Sequence, residues 1–148
     1  MDAADAVGQL ATKASPEAVE LARAVLEQDV TDRLWADQVG PALSQGDVAR
    51  LLGVSEQAVS QSRQLLRLRD RDRRPVYPYV QFDGKRILPG LDRVLDLLGP
   101  VTTAVGIAAW LTGSHPGLVD QRPVDGLRAG DIDAVVAAAQ RFADRAVA

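Results

Sequence analysis

Apolar residues recur at three- and four-residue spacing along most of the chain, which predicts a mainly α-helical protein. The longest stripes cover residues 15–34 and 131–147. Shorter helices are predicted over residues 91–98, 101–111 and 123–130, separated by glycine- and proline-containing breaks. The pattern therefore indicates a helical fold with short connections.

Residues 44–64 form the most informative stretch, because two short apolar stripes flank a glycine. Ser44 and Ser55 are good N-caps, and Gly53 reaches the backbone conformation of a tight turn without strain. On the second predicted helix, Val59 and Leu66 point inward. This pattern is typical of a helix-turn-helix, whose second helix enters the DNA major groove. A purely structural helical hairpin is the alternative.

The outward face of the second predicted helix carries polar side chains suited to reading base edges. Glutamine can make two hydrogen bonds to an adenine edge, and serine can hydrogen-bond to several kinds of base. We expect this face to read DNA sequence through four residues: Gln57, Ser60, Gln61 and Gln64.

Positive charge is concentrated in the same part of the chain. The whole protein has a net charge of −3, yet residues 44–86 carry nine basic and five acidic side chains, a net of +4. Such local charge suits phosphate contacts. The arginines after the second helix are expected to enter a loop, since Pro75 and Pro78 stop a helix. The predicted phosphate-contacting residues are Ser55, Arg63, Arg67, Arg69, Arg71, Lys85 and Arg86.

Residues 79–88 contain two β-prone runs joined by Asp83-Gly84, which predicts a β-hairpin. Two interpretations stay open. The hairpin is either a wing that brings Lys85 and Arg86 near phosphate, or an apolar flap of the core.

The residues required for catalysis or metal binding are sparse. The chain has no cysteine, and its one histidine, His115, lies in a predicted loop, so no zinc set can be completed. We expect a non-enzyme with no catalytic residue, no metal site and no cofactor. The longest apolar run, residues 101–111, is far short of the ~20 residues of a membrane helix. We therefore expect no membrane association and a cytoplasmic location.

Three later stretches carry a resemblance to a known family. They are Tyr77-Pro78-Tyr79-Val80-Gln81-Phe82-Asp83-Gly84 with the following Leu88-Pro89-Gly90-Leu91, then Ala109-Trp110-Leu111, and lastly residues 122–131 with the helix after them. In this order and spacing they resemble the antitoxins of the Xre–RES (Xre/MbcA/ParS-type) toxin–antitoxin class. With the helix-turn-helix, the likeness covers about residues 44–146.

The resemblance implies a dimer that represses its own promoter and binds double-stranded DNA. It also implies a partner, a RES-domain toxin that degrades NAD, bound by the C-terminal region. The residues that would shape this partner-binding domain are Trp110, Pro123, Leu127 and Phe142.

Three parts of the chain are therefore expected: an N-terminal helical segment at residues 1–43, the helix-turn-helix with its basic extension at 44–75, and the hairpin with a C-terminal helical, toxin-binding-like domain at 76–148. The N-terminal segment either packs on the helix-turn-helix or forms a dimer contact. The predicted function is a sequence-specific DNA-binding regulator that neutralises a RES-type toxin. The alternative is a stand-alone regulator or a protein-interaction module without a toxin partner.

Overall fold

The computed structural model describes residues 38–147. The helix predicted over residues 15–34 lies outside the described residues. The described part is mainly helical, with six α-helices and two small antiparallel sheets, one of three strands and one of two. In chain order the elements are β1 (Ala42–Ser44), α1 (Gln45–Leu52), α2 (Glu56–Gln61), β2 (Leu68–Arg69), β3 (Pro75–Pro78), β4 (Phe82–Asp83), β5 (Arg86–Ile87), α3 (Leu91–Leu98), α4 (Ala104–Thr112), α5 (Pro123–Ala129) and α6 (Ile132–Ala146).

Local capping explains the first two helices. The Ser44 hydroxyl accepts a hydrogen bond from the Asp47 N–H at 3.1 Å, and the Ser55 hydroxyl accepts one from the Ala58 N–H at 3.1 Å. Gly53 ends α1 at φ 70°, in the left-handed region that favours glycine. The caps and the turn predicted from the sequence are thus confirmed.

The second helix is shorter than the pattern predicts. It ends at Gln61, because Ser62 adopts an extended ψ of 132°. The Ser62 hydroxyl accepts a hydrogen bond from the Gln64 N–H at 3.2 Å. A serine hydroxyl that hydrogen-bonds to a nearby backbone N–H competes in this way with the hydrogen bonds of a helix. Leu66 is buried as expected, but it lies in the extended segment that follows the helix. Placing Gln64 and Leu66 on that helix was wrong.

The arginine-rich stretch forms a hairpin, where the sequence predicted a loop. Strands β2 and β3 pair antiparallel, with Leu68 opposite Val76, and β3 also pairs with β1. The sheet order is β1-β3-β2. Proline argues against a central strand, but Pro75 and Pro78 occupy the first and last positions of β3, where a missing N–H is tolerated.

The predicted Asp83-Gly84 hairpin is present in a shorter form. Only β4 and β5 pair, and Tyr79–Gln81 forms a 3₁₀ turn in place of the predicted strand. Phe82 is buried with Val48 and Val59, so this hairpin contributes to the core beneath α1 and α2.

The C-terminal half contains four helices, as the sequence predicted. Helix α3 packs on α6, and α5 contacts both α4 and α6. Helix α4 begins at Ala104 because the Thr103 hydroxyl caps it, accepting from the Gly106 N–H at 3.1 Å. Within residues 38–147, the helices fall short of the length and apolar character required to span a bilayer.

Candidate nucleic-acid interface

Helix α2 exposes two glutamines one helical turn apart. Gln57 and Gln61 are both exposed, and their i, i+4 spacing places them on the same face. Val59 is buried and anchors the opposite face of the helix. Ser60 is half-buried, and its hydroxyl donates to the Gln57 carbonyl oxygen at 3.0 Å. Of the four predicted base-reading residues, Gln57 and Gln61 are thus the best presented.

Arg67 contacts the C-terminal end of α2. Its Nη1 donates to the Ser60 carbonyl oxygen at 3.2 Å, although Arg67 lies outside the helix. A cation near the last carbonyls of a helix also complements the helix dipole. Because guanidinium has five N–H donors, this contact leaves donors for a second partner.

The turn between β2 and β3 is built by Asp70. Its carboxylate Oδ1 accepts from the backbone N–H groups of Asp72 at 2.8 Å and Arg74 at 2.9 Å. The Arg73 N–H donates to the Asp70 carbonyl oxygen at 3.0 Å, and Arg73 has a φ of 63°. A three-residue hairpin loop that ends in a left-handed residue is a standard connection, usually made with glycine at that position. Asp70 therefore organises the backbone of an arginine-rich turn.

This turn presents four exposed arginines on one hairpin. They are Arg69, Arg71, Arg73 and Arg74. Arg69 and Arg71 are among the predicted phosphate contacts. Arg73 and Arg74 belong to the same basic stretch of the sequence but are not among those predicted contacts, because their place on an exposed turn depends on the pairing of β2 with β3.

The remaining predicted phosphate contacts are more scattered. Arg63 is exposed in the segment after α2, and Ser55 is the N-cap of α2. Lys85 and Arg86 are exposed on the separate β4–β5 hairpin. Within the described residues, no hydrogen bond or ion pair links either of these two to α2 or to the β2–β3 turn.

A buried amide lies behind this surface. Gln81 is fully buried; its Oε1 accepts from the Leu66 N–H at 2.8 Å, and its Nε2 donates to the Leu66 carbonyl oxygen at 3.0 Å. The same Nε2 donates to the Pro78 carbonyl oxygen at 3.1 Å. From the sequence, Gln81 is predicted to lie on a strand; a single glutamine between Val80 and Phe82 was the available signal of a buried polar role.

The residues expected to shape a partner-binding domain lie mostly inside the C-terminal half. Trp110, Pro123 and Leu127 are buried, and Phe142 is half-buried. Trp110 stacks on His115 with ring centroids 4.9 Å apart, and its ring lies 6.4 Å from that of Phe142. These four residues therefore support the helical packing from within.

An ion pair joins the loop before α5 to its first turn. Arg122 Nε and Asp125 Oδ2 lie 2.8 Å apart, and Arg128 also contacts the Asp125 carboxylate. The hydrogen bond from Arg122 lowers the pKa of Asp125 below its ordinary value. Arg128 Nη2 also donates to the Val80 carbonyl oxygen at 3.1 Å, which ties α5 to the segment before β4.

Comparison with known proteins gives one informative similarity. The fold resembles a solved structure described as the NMR structure of Rv2175c, with a TM-score of 0.58 and 28% sequence identity. The match covers 70% of this chain and 81% of that chain. No family model matches the chain, and neither does any curated protein.

Proposed function

We propose that this protein is a sequence-specific DNA-binding regulator in which α1 and α2 act as a helix-turn-helix. The observation that carries the proposal is the exposed pair Gln57 and Gln61 on α2, next in the chain to an arginine-rich hairpin. In this proposal α2 is the recognition helix and the β2–β3 hairpin is the wing. The arrangement is a winged helix-turn-helix.

The dimensions and chemistry of α2 suit the major groove. Six residues make a helix about 9 Å long, shorter than the roughly 12 Å width of the groove. Gln57 and Gln61 can each make a bidentate contact with adenine. Val59 and Ser55 hold the helix from its buried side and its N-terminus, so the two glutamines project from a supported scaffold.

Phosphate contact is assigned mainly to the wing. The exposed arginines of the β2–β3 turn carry the charge, and the turn that presents them is ordered by Asp70. Arg67 adds a donor beside the recognition helix. Contacts of this kind set the position of the protein on the duplex without reading sequence.

The test is selection of binding sites from a random DNA pool by the purified protein at about physiological salt. We expect an enriched site, and an inverted repeat with half-sites ~10 base pairs apart would establish a homodimeric reader. No enrichment would contradict the proposal and leave the helix pair as a scaffold.

The antitoxin role rests on the sequence resemblance of residues 77–91, 109–111 and 122–131 with the helix that follows. In that role the protein is cytoplasmic, has no enzymatic activity, represses its own promoter and neutralises a RES-domain toxin. The test is mixing the purified protein with a RES-domain protein from the same genome while NAD is measured. A stoichiometric complex with slower NAD loss is expected; free NAD degradation without a complex would favour a stand-alone regulator.

A further inference from the structure

We propose that Gln81 is a positioning residue that holds the recognition helix and the wing in one fixed arrangement for DNA. This inference rests on the proposed function, because the arrangement matters only if both elements contact the same duplex. Gln81 lies outside both elements, in the 3₁₀ turn after β3, and is fully buried.

The segment that Gln81 holds connects the two DNA-contacting elements. Helix α2 ends at Gln61 and β2 begins at Leu68, so residues 62–67 lie outside helix and strand. Leu65 and Leu66 are both buried within this segment. Their backbone polar groups therefore need partners inside the protein, because an unpaired buried N–H or C=O is costly.

Glutamine is well suited to supply hydrogen-bond partners to the buried backbone of such a segment. Its side-chain amide has one acceptor oxygen and two N–H donors, so it can reproduce the bonds of a neighbouring strand. Gln81 uses this capacity on Leu66, bonding both its N–H at 2.8 Å and its carbonyl oxygen at 3.0 Å. The bond from Nε2 to Pro78 at 3.1 Å fixes the amide against the end of β3. Gln81 thus joins the connecting segment to the central strand of the sheet.

The clamped residue is adjacent to both DNA-contacting elements. Arg67 follows Leu66 directly and donates to the Ser60 carbonyl oxygen near the end of α2 at 3.2 Å. Leu68 comes next and pairs with Val76 at the base of the wing. A displacement of Leu66 would therefore shift the recognition helix and the wing relative to each other.

This arrangement should affect selective binding more than general affinity for DNA. Base reading by α2 needs the helix and wing to dock together, and a pre-ordered surface loses less entropy on binding. Contacts to phosphate tolerate more variation, since every sequence offers the same backbone. Loss of the Gln81 clamp should therefore lower the ratio of specific to non-specific affinity.

The experiment compares the 148-residue protein with its Gln81→Met variant, which keeps similar side-chain length but has no N–H donor or oxygen. Affinity is measured at one salt concentration for the selected duplex and for a scrambled duplex of equal length. Amide hydrogen exchange at Leu66 reports the clamp directly. Val94→Ala is the control, because Val94 is fully buried on α3 and its loss destabilises the fold without touching Leu66.

We expect Gln81→Met to bind the selected duplex about tenfold more weakly and the scrambled duplex within about twofold of the unmodified protein. Exchange at Leu66 should become faster. Val94→Ala should keep the unmodified ratio of the two affinities. If Gln81→Met does not fold, Gln81→Glu retains an acceptor for the Leu66 N–H and should still lower the ratio.

An unchanged affinity ratio in a folded Gln81 variant whose Leu66 exchange is faster would overturn the inference, because the clamp would then serve stability alone. A similar fall in the ratio for Val94→Ala would also overturn it. Failure of the unmodified protein to prefer the selected duplex is a different result, which contradicts the proposed function itself.

Discussion

Arg69 holds Arg73 across the β2–β3 turn, with its Nη1 donating to the Arg73 carbonyl oxygen at 3.1 Å. Two cationic residues are thus joined through a backbone oxygen, and Arg73 stays in the left-handed region at φ 63°. A non-glycine residue in this conformation costs roughly 1 kcal/mol. Strain of this kind often persists where the side chain serves function.

Replacing Arg73 with glycine should separate its backbone role from its charge. Arg73→Gly relieves the left-handed strain, so the free energy of unfolding should rise or stay level, whereas Arg73→Ala keeps the strain and should be less stable than Arg73→Gly by about 1 kcal/mol. Both variants remove one proposed phosphate contact. Both should therefore bind all DNA sequences more weakly and lower the slope of log affinity against log salt by about 1.

Thermal unfolding and salt titration of binding check these two effects separately. Equal stability of the glycine and alanine variants would contradict the strain argument. An unchanged salt slope in both variants would contradict the proposed contact between Arg73 and phosphate.

The glutamines of α2 should read separate base positions. Gln57→Ala and Gln61→Ala should each cost about 1–3 kcal/mol on the selected site and relax preference at one base pair. Gln64→Ala is the matched control: Gln64 is exposed but lies beyond the helix, so its loss should have a smaller effect. Binding-site selection repeated with each variant is the measurement. Unaltered preference in both helix variants would contradict the base-reading assignment.

Tyr77 carries a buried hydroxyl that has no hydrogen-bond partner within the described residues. Leaving such a group unpaired in the interior is unfavourable. Tyr77→Phe should therefore leave the free energy of unfolding unchanged or raise it by up to about 1 kcal/mol. Tyr77→Ala, which removes the ring, should instead lower it by about 3–5 kcal/mol. Urea denaturation of both variants tests this, and a clear loss of stability in Tyr77→Phe would show that the hydroxyl is satisfied in solution.

The Arg122–Asp125 pair should make stability depend on pH in the acidic range. Hydrogen bonding from Arg122 lowers the pKa of Asp125, so the folded state favours the ionised carboxylate. This contribution is present above the ordinary aspartate pKa of about 4 and is lost as pH falls through the lower folded-state pKa. Both side chains are about 40% exposed, so the effect should be small.

Chemical denaturation between pH 6 and roughly pH 2.5 measures this dependence. Made alone, Asp125→Asn should flatten the acid side of the curve of unfolding free energy against pH. Made in the Arg122→Gln variant, the same substitution should change that variant's curve much less. An identical change in both backgrounds would show that Arg122 is not the cause.

Local chemistry determined most of the helical elements. Serine caps, left-handed glycines and helix-starting prolines act through bonds between residues a few positions apart. Ser44 and Gly53 thus mark the start and the end of α1, while Pro123 and Gly130 mark those of α5. Because these signals need no distant partner, the helices from α3 to α6 and the hairpin turn at Asp83-Gly84 could be predicted from the sequence.

Sheet pairing was decided by the tertiary structure. Strands of two to four residues carry too little alternation to be recognised, and the prolines of β3 argue against a central strand. The partner of β3 on one side is β1, more than 30 positions earlier in the chain. The β2–β3 hairpin, the proposed wing, could therefore not be located from the sequence, in which residues 79–88 were the candidate for that role.

The same reason applies to the candidate interface. Gln57 and Gln61 could be predicted because helical spacing alone places them on one exposed face. The role of Gln81 depends on a bond between residues 15 positions apart, which forms only when the chain is folded. The sequence by itself determined the spacing that puts Gln57 and Gln61 on one helix face. Only the tertiary structure decided how the segments around them are held, because burial and long-range hydrogen bonds arise when distant segments meet.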